Sequence, residues 1–321
     1  MSTRWDELIP EPLHDAVRAA FAGAYGARAV ECLGPVTGGA SGAVALRMRV
    51  EGRDHLLRVE ARRSPMRNPH QYACMTIAAE AGVAPPVHYI DADNGVAVMD
   101  FIETVPLPTF PGGPAALGAA LGQLAARLQG APPFPVLGDW RAIVGRLLAM
   151  LEGRCAPGLL ARHRETYEQL YATLPWDSAY HVASHNDPNA RNVLYDGTRL
   201  WLVDWETAYR NDPRVDVAIM ADNFAQTPGL ADELMRAWLG RPASPEERHH
   251  IEQVRRLTRL YYAGLLIALA GAGAEPLEDL TPPSPQEFGA RLARGQLSEN
   301  DPATLVMIGK MCLAGLLEPL P

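Results

Sequence analysis

Lysine is almost missing from this chain. Of the 29 basic residues among 321, a single one, Lys310, is a lysine, and the rest are arginines. Any phosphate ligand met before that point would have to be held by guanidinium groups, backbone amides or a metal. An excess of positive charge is missing too. Against 37 acidic residues the formal charge is −8, with no basic patch, which argues against nucleic acid as a sequence-independent partner. The four cysteines, Cys32, Cys74, Cys155 and Cys312, stand far apart without C-x-x-C or metal-ligand spacing. They read as buried free thiols in a reducing compartment. The uncharged run Leu260 to Ala274 falls short of the ~18–20 residues of a membrane span. The N-terminal MSTRWDELIPEPLHD lacks the apolar core of a secretion signal. These absences predict a soluble, cytoplasmic protein with no membrane or nucleic-acid partner, and leave its oligomeric state open.

With 48% hydrophobic and 21% charged residues, the chain can build one large core or two lobes sharing a cleft. Residues 5–25 carry helical periodicity through Leu8, Leu13, Val17 and Phe21. Val44, Leu46, Met48 and Val50 then alternate along a strand, Glu51 to Asp54 turn, and Leu56, Leu57 and Val59 form a second strand. Residues 70–81 read as a helix ending before Gly82. Val87–Ile90 and Val96–Ile102 flank the turn Asp91-Ala92-Asp93-Asn94-Gly95. A calcium reading of that turn fails, because its glycine falls at position five and Ile102 at position twelve. From Val105 an irregular, proline-rich connector runs to Pro114, and helical spacing follows across 115–129, 139–152, 159–174 and 251–270. A further proline loop spans 282–285. The expected fold is thus α+β, with a strand-rich part over residues 1–104 and a larger, mainly helical part over 105–321.

One segment, His181 to Glu206, interrupts the helices. Its Asp196-Gly197 turn lies between Val193-Leu194-Tyr195 and Leu200-Trp201-Leu202-Val203, which predicts a hairpin with Asn192 and Asp204 brought together at its open end. Asp187 stands in the loop before it. Phosphoryl transfer needs one carboxylate to orient an attacking hydroxyl and oxygen ligands to hold Mg²⁺ on the nucleotide phosphates. The spacing His-x-Asp-x-x-x-x-Asn, then a strand and Asp, fits that requirement.

On His185-Asn186-Asp187, Asn192, Asp204 and Asp212-Pro213-Arg214-Val215-Asp216-Val217-Ala218, the chain resembles the aminoglycoside phosphotransferase and choline kinase superfamily, small-molecule kinases with a protein-kinase-like fold. The resemblance is strong over about residues 181–218. It implies a bilobal architecture, with a small antiparallel N-lobe sheet that holds ATP and a larger helical C-lobe that carries catalysis and the acceptor pocket. It implies Asp187 as catalytic base, Asn192 and Asp204 as Mg²⁺ ligands, and Asp216 as a brace for the catalytic loop. The segment Thr37 to Ala43 is rich in small residues, and Gly39, Ser41 and Gly42 would bring amides to the nucleotide. It leads into a strand and lacks Gly-Lys-Ser/Thr, so it is not a Walker A loop. Met99, Asp100 and Ile102 would meet adenine through their backbone.

The strand lysine of the family is replaced by Arg58, as in choline-kinase-like members, and an arginine can fork onto phosphate. The glutamate expected from the following helix is absent. Its place falls near Gln71, which is expected to position Arg58 by a hydrogen bond, while Glu80 lies at the wrong end. Asn186 and Asp204-Trp205-Glu206 lean toward choline, ethanolamine or thiamine as the small, cationic hydroxyl acceptor. The alternatives are an aminoglycoside or other antibiotic O-phosphotransferase, and a nucleotide-binding pseudokinase with a regulatory role. Trp205, Glu206, Tyr209, Tyr261 and Tyr262 read either as a cage for a quaternary ammonium or as packing residues. His249-His250 are adjacent on a helix, point apart, and read as a solvated face.

Overall fold

A computed structural model of the chain describes residues 4–36, 43–61, 67–271, 276–298 and 301–318. Short 3-10 turns at Trp5–Glu7 and Glu11–Leu13 precede α1, His14–Tyr25. The helix predicted from residue 5 therefore begins only at His14. Pro10 and Pro12 each withhold an amide and fix φ where a continuous helix would need both. Strands β1 (Glu31–Pro35), β2 (Val44–Val50) and β3 (Arg53–Val59) follow, then α2 (Gln71–Glu80), β4 (Val87–Asp91) and β5 (Val96–Asp100). They form one antiparallel sheet in the order β1-β2-β3-β5-β4. β1 is not legible in the sequence because Gly34 and Pro35 read as breakers. Here Gly34, at φ 125°, sits in a bulge that shifts the register against β2.

Alternation sorts the two faces of the sheet. Leu57 lies opposite Leu46 and Val98, and Val59 opposite Val44 and Val96. With Met48 and Val50 these residues bury one face against Val17 and Ala20 of α1. His55 and Asp100, themselves a cross-strand pair, fall on that same side. Arg58, opposite Ala97, belongs to the other face.

Beyond the connector come α3 (Gly113–Gln129), α4 (Trp140–Glu152), α5 (Ala161–Thr173), β6 (Val182–Ser184), β7 (Val193–Tyr195), β8 (Leu200–Leu202) and β9 (Tyr209–Asn211). The chain continues as α6 (Arg214–Phe224), α7 (Pro228–Leu239), α8 (Pro245–Leu269), α9 (Pro285–Ala293) and α10 (Pro302–Leu317). Two compact units result. The first comprises Met1–Leu137, Val182–Arg210 and Asn223–Arg241, and the second Gly138–His181, Asn211–Asp222 and Pro242–Pro321.

In the second unit α8 opens with a capping box between Ser244 and Glu247 and packs against α4, α5 and α10. Its Arg255 and Arg259 clamp Asp222 of α6 at 2.7 and 3.0 Å. Cys32, Cys74 and Cys155 are buried free thiols as expected, whereas Cys312 is only partly covered. Among the described residues no helix is long and apolar enough to cross a membrane.

In the first unit α3 and α7 pack closely enough to need glycine. A Cβ on Gly122 would overlap the Leu234 carbonyl oxygen and lie 2.9 Å from the Trp238 amide. Backbone cannot swing aside as a side chain can. Gly122→Ala is therefore expected to destabilise the protein by about 1–3 kcal/mol in chemical denaturation. Gly118→Ala, whose nearest contact would be an ordinary 3.5 Å, should leave stability unchanged or slightly raised. Equal losses at the two positions would contradict this packing.

Candidate active site

The loop between β6 and β7 is fastened to the segment that follows β8. Asn186 adopts a left-handed φ of 63°, a conformation asparagine tolerates better than most residues. Its buried Nδ2 donates to the carbonyls of Thr207 at 3.0 Å and Tyr209 at 3.3 Å. The Thr207 hydroxyl donates in turn to the His185 carbonyl at 3.0 Å. The His185 ring lies with Nε2 2.9 Å from the Val203 carbonyl and its centroid 4.6 Å from that of the Trp205 ring. Side-chain hydrogen bonds thus do here what a longer sheet would otherwise do.

This fastening presents Asp187. Its Oδ1 accepts from Asn189 Nδ2 at 2.8 Å, and its Oδ2 from Asn192 Nδ2 at 3.2 Å. The same Asn192 nitrogen reaches the Asp187 carbonyl at 2.9 Å. Asn192 therefore turns its nitrogen to Asp187 and keeps its oxygen for another partner. The predicted hairpin forms as β7 and β8, with Val193 opposite Leu202 and the Val203 amide donating to the Asn192 carbonyl at 3.0 Å. Asp204 follows directly, so the hairpin brings Asn192 and Asp204 to one end. Asp204 also has a left-handed backbone, φ 66°, and its Oδ1 is buried without a hydrogen-bond donor. A strained residue holding a bare, buried carboxylate oxygen is an arrangement that a hard cation with oxygen ligands would relieve.

Arg58 lies within electrostatic reach of Asp204. Its side chain is only 14% exposed, and it is paired with Glu60 at 3.2 Å and, closer still, with Glu206. Burial works against its charge, but Tyr72, Glu206, Asp204 and Glu60 outweigh that and keep it firmly protonated. Glu60 is the hub. It also accepts from Arg67 at 2.7 Å, from the Tyr72 hydroxyl at 2.8 Å and from Gln71. Burial alone would raise its carboxyl pKa, yet Tyr72, Arg58 and Arg67 together hold it below the usual range. Glu206, 44% exposed, is pushed up by loss of water and by the neighbouring Asp204 carboxylate.

The geometry corrects one expectation. Gln71 is buried at the start of α2, but its amide donates to Glu60 and not to Arg58. A carboxylate two residues beyond Arg58, on the same strand face, is the stronger acceptor for both donors. Glu60 is the residue that sequence reasoning misses, and the i, i+2 spacing is its signal. For the aromatic residues left open between a cage and packing, the observed contacts are packing contacts within each unit. Trp205 is buried between His185 and Phe134, Tyr261 is buried against Trp140, and Glu206 is spent on Arg58.

Of the remaining expected residues, Met99 pairs with Leu56 at the end of β5. The Asp100 amide donates to the Pro86 carbonyl at 2.9 Å, its carboxylate lies 2.6 Å from His88 Nε2, and Ile102 follows in the partly exposed connector. Asp216 is fully buried near the start of α6, in the second unit. Gly39, Ser41 and Gly42 lie outside the described residues.

The sequence profile of the phosphotransferase enzyme family matches residues 33–250, more than half of the chain. The chain belongs to that family. Comparison by sequence with curated proteins finds no match. Among solved structures, a choline/ethanolamine kinase family protein from Mesorhizobium loti is 23% identical, with a TM-score of 0.63 and 96% of each chain covered. A choline kinase from Streptococcus pneumoniae is 13% identical, with a TM-score of 0.59, covering 95% of this chain and 99% of its own. A spectinomycin phosphotransferase in complex with ADP and spectinomycin is 14% identical at a TM-score of 0.53, with 88% and 92% covered. At these identities the likeness is one of fold, and the α+β, bilobal architecture expected from the sequence is the one observed.

The Glu60 hub makes a direct stability test possible. Glu60→Ala removes an acceptor shared by two arginines and two neutral donors, leaving Glu206 as the carboxylate on Arg58, and is expected to cost about 3–5 kcal/mol in denaturant unfolding. Glu60→Gln, which keeps an acceptor of the same shape, should cost clearly less. Because the folded carboxyl is held below its ordinary value of ~4.3, its contribution is complete above that pH and fades as pH falls through the lowered pKa. The Gln variant should lack that part of the acid loss. A Glu60→Ala protein as stable as the wild type would show that the hub is not a structural requirement.

Proposed function

We propose that this member of the phosphotransferase enzyme family transfers the γ-phosphate of ATP to a hydroxyl of a small, cationic acceptor. The observation that carries the proposal is the Asp187 carboxylate, gripped by the amide of Asn192, whose other prong and the bare Oδ1 of Asp204 are two oxygens suited to a hard cation. In this reading residues 1–104 hold the nucleotide and residues 105–321 supply the catalytic loop and the acceptor pocket. Asp187 orients the acceptor hydroxyl and takes its proton as the oxygen attacks the γ-phosphorus. The bond from that phosphorus to the bridging oxygen breaks, and ADP leaves. What this step asks of the protein is a carboxylate fixed at the right angle. Asn189 on Oδ1 and Asn192 on Oδ2 are donors that help set it.

Mg²⁺, when bound by Asn192 and Asp204, would supply positive charge to the nucleotide phosphates as negative charge moves between them. Arg58 presents its guanidinium to the α- and β-phosphates, with Glu60 fixing it from behind and Glu206 as the partner it releases or shares. Glu60 therefore takes the place of the absent helix glutamate, which favours an active enzyme over a nucleotide-binding pseudokinase. Gly39, Ser41 and Gly42 would bring backbone amides to the phosphates, and the backbone at Met99, Asp100 and Ile102 would meet adenine. A choline-, ethanolamine- or thiamine-like acceptor is supported by two neighbours named as choline or choline/ethanolamine kinases. The net charge of −8 suits any cationic acceptor.

Two measurements test the reading. In an acceptor screen with ATP and Mg²⁺, read by ADP release and product mass, a choline-like alcohol should be phosphorylated. Turnover only on an aminoglycoside or spectinomycin would move the acceptor to the antibiotic class, and no turnover on any hydroxyl would revive the pseudokinase. For the best acceptor, Asp187→Asn should lower kcat by ~10²–10⁴ and leave MgATP affinity nearly intact. A near wild-type rate would remove Asp187 from its role.

Binding separates the remaining residues. Asp204→Ala should abolish the Mg²⁺-dependent part of ATP affinity, and Asn192→Ala should weaken it. Arg58→Ala should weaken MgATP binding by about one to two decades, from the roughly 1.5–3 kcal/mol of a hydrogen bond to a charged group. Arg58→Lys should recover part of it. Unchanged affinities would place the phosphates elsewhere.

A further inference from the structure

The sheet carries a second cluster of ligating groups on the face away from Arg58. His55 of β3, His88 of β4 and Asp100 of β5 converge so that one ligand atom from each lies within 4.8 Å of the others. Asp100 Oδ1 is 2.6 Å from His88 Nε2 and 3.8 Å from His55 Nδ1. The two imidazoles meet edge to face, with centroids 5.0 Å apart. We propose that these three side chains form a site for a borderline divalent cation, Zn²⁺ by preference, that ties the three strands together where β5 runs into the connector.

Three observations carry this. The first is an unsatisfied nitrogen. The His55 side chain is 10% exposed, and its Nδ1 is buried without a hydrogen-bond partner. The neighbouring Tyr25 ring stands edge-on to His55 at 5.0 Å, and its hydroxyl is likewise buried without a partner. A buried imidazole lone pair with no donor is costly unless something else fills it. The second is spacing. Zn–N and Zn–O bonds of about 2.0–2.2 Å in a tetrahedron put ligand atoms roughly 3.3–3.6 Å apart. The observed 2.6 and 3.8 Å straddle that range, so small side-chain shifts suffice. The third is donor chemistry. Two imidazoles and one carboxylate suit Zn²⁺, Co²⁺ or Ni²⁺ better than Mg²⁺, whereas the amide and carboxylate oxygens of Asn192 and Asp204 suit Mg²⁺. His88 is exposed at the rim of the cluster, which gives an ion a route in and leaves room for a water as fourth ligand. Its three side chains take no part in the proposed phosphotransfer, in which Asp100 serves through its backbone alone.

The test is metal binding by the full-length protein after stripping with a chelator. Zn²⁺ alone is titrated against a competing chromophoric chelator, and Co²⁺ alone is followed by its visible absorption. Wild-type protein should bind one equivalent, give a tetrahedral or five-coordinate Co²⁺ spectrum, and gain melting temperature with Zn²⁺. His88→Ala changes an exposed side chain and should fold normally, yet weaken Zn²⁺ binding by about tenfold or more and lose both the spectrum and the melting shift. His55→Gln should do the same. Asp204→Ala and Asn192→Ala should keep the equivalent, because their oxygens lie outside the cluster. No bound equivalent in the wild type, or binding unchanged in His88→Ala, would overturn the proposal.

Discussion

A guanidinium under a β-sheet must be paired, and the pairing of Arg58 with Glu60 organises much of the first unit. Because the chain has one lysine, far along the sequence from this sheet, the cation at the end of β3 is an arginine that cannot shed its charge when desolvated. Its neighbours therefore have to bring carboxylate. Glu60 does so from just beyond the same strand, and through it Arg67, Gln71 and Tyr72 lock the start of α2 to the sheet. Glu206 does so from the turn that follows Asp204. One ion-pair network thus joins the strand, the helix and the segment that carries a proposed metal ligand. Breaking a buried network of this kind exposes uncompensated charge, which is why its members are expected to matter more together than singly.

The loop that carries Asp187 obeys a different constraint. Asn186 and Asp204 are held at positive φ, one at each side of the hairpin, and side-chain hydrogen bonds from Asn186, Thr207 and Asn192 hold the pieces in place. Such strain persists only where the surroundings over-determine it. In the proposed reaction it fixes where Asp187 points and where the oxygens of Asn192 and Asp204 meet a cation. The two faces of the sheet then differ in chemistry: Arg58 and its carboxylates on one, His55, His88 and Asp100 on the other.

Much of this is legible in the sequence. The β2–β3 and β7–β8 hairpins follow from alternation and their turns, and the second alone predicts that Asn192 and Asp204 share an end. α2, α3, α4, α5 and most of α8 follow from periodicity, whereas α6, α7, α9 and α10 are not among the segments it marks. What stays hidden has physical causes. β1 is disguised by Gly34 and Pro35, and the start of α1 by prolines that do not disturb apolar spacing. Gln71 occupies the place a helix glutamate would take, while the carboxylate that serves Arg58 comes from its strand neighbour Glu60. The histidine cluster depends on β3 lying beside β5 rather than β4, and no hairpin argument gives that order.

The central claim is that Glu60 holds Arg58 for the nucleotide. A double-mutant cycle on MgATP affinity, with Arg58→Ala, Glu60→Gln and both together, tests it most directly. The account predicts that Glu60→Gln weakens binding in the presence of Arg58 and adds little once Arg58 is gone, a coupling of about 0.5–3 kcal/mol. Losses that simply add would contradict it.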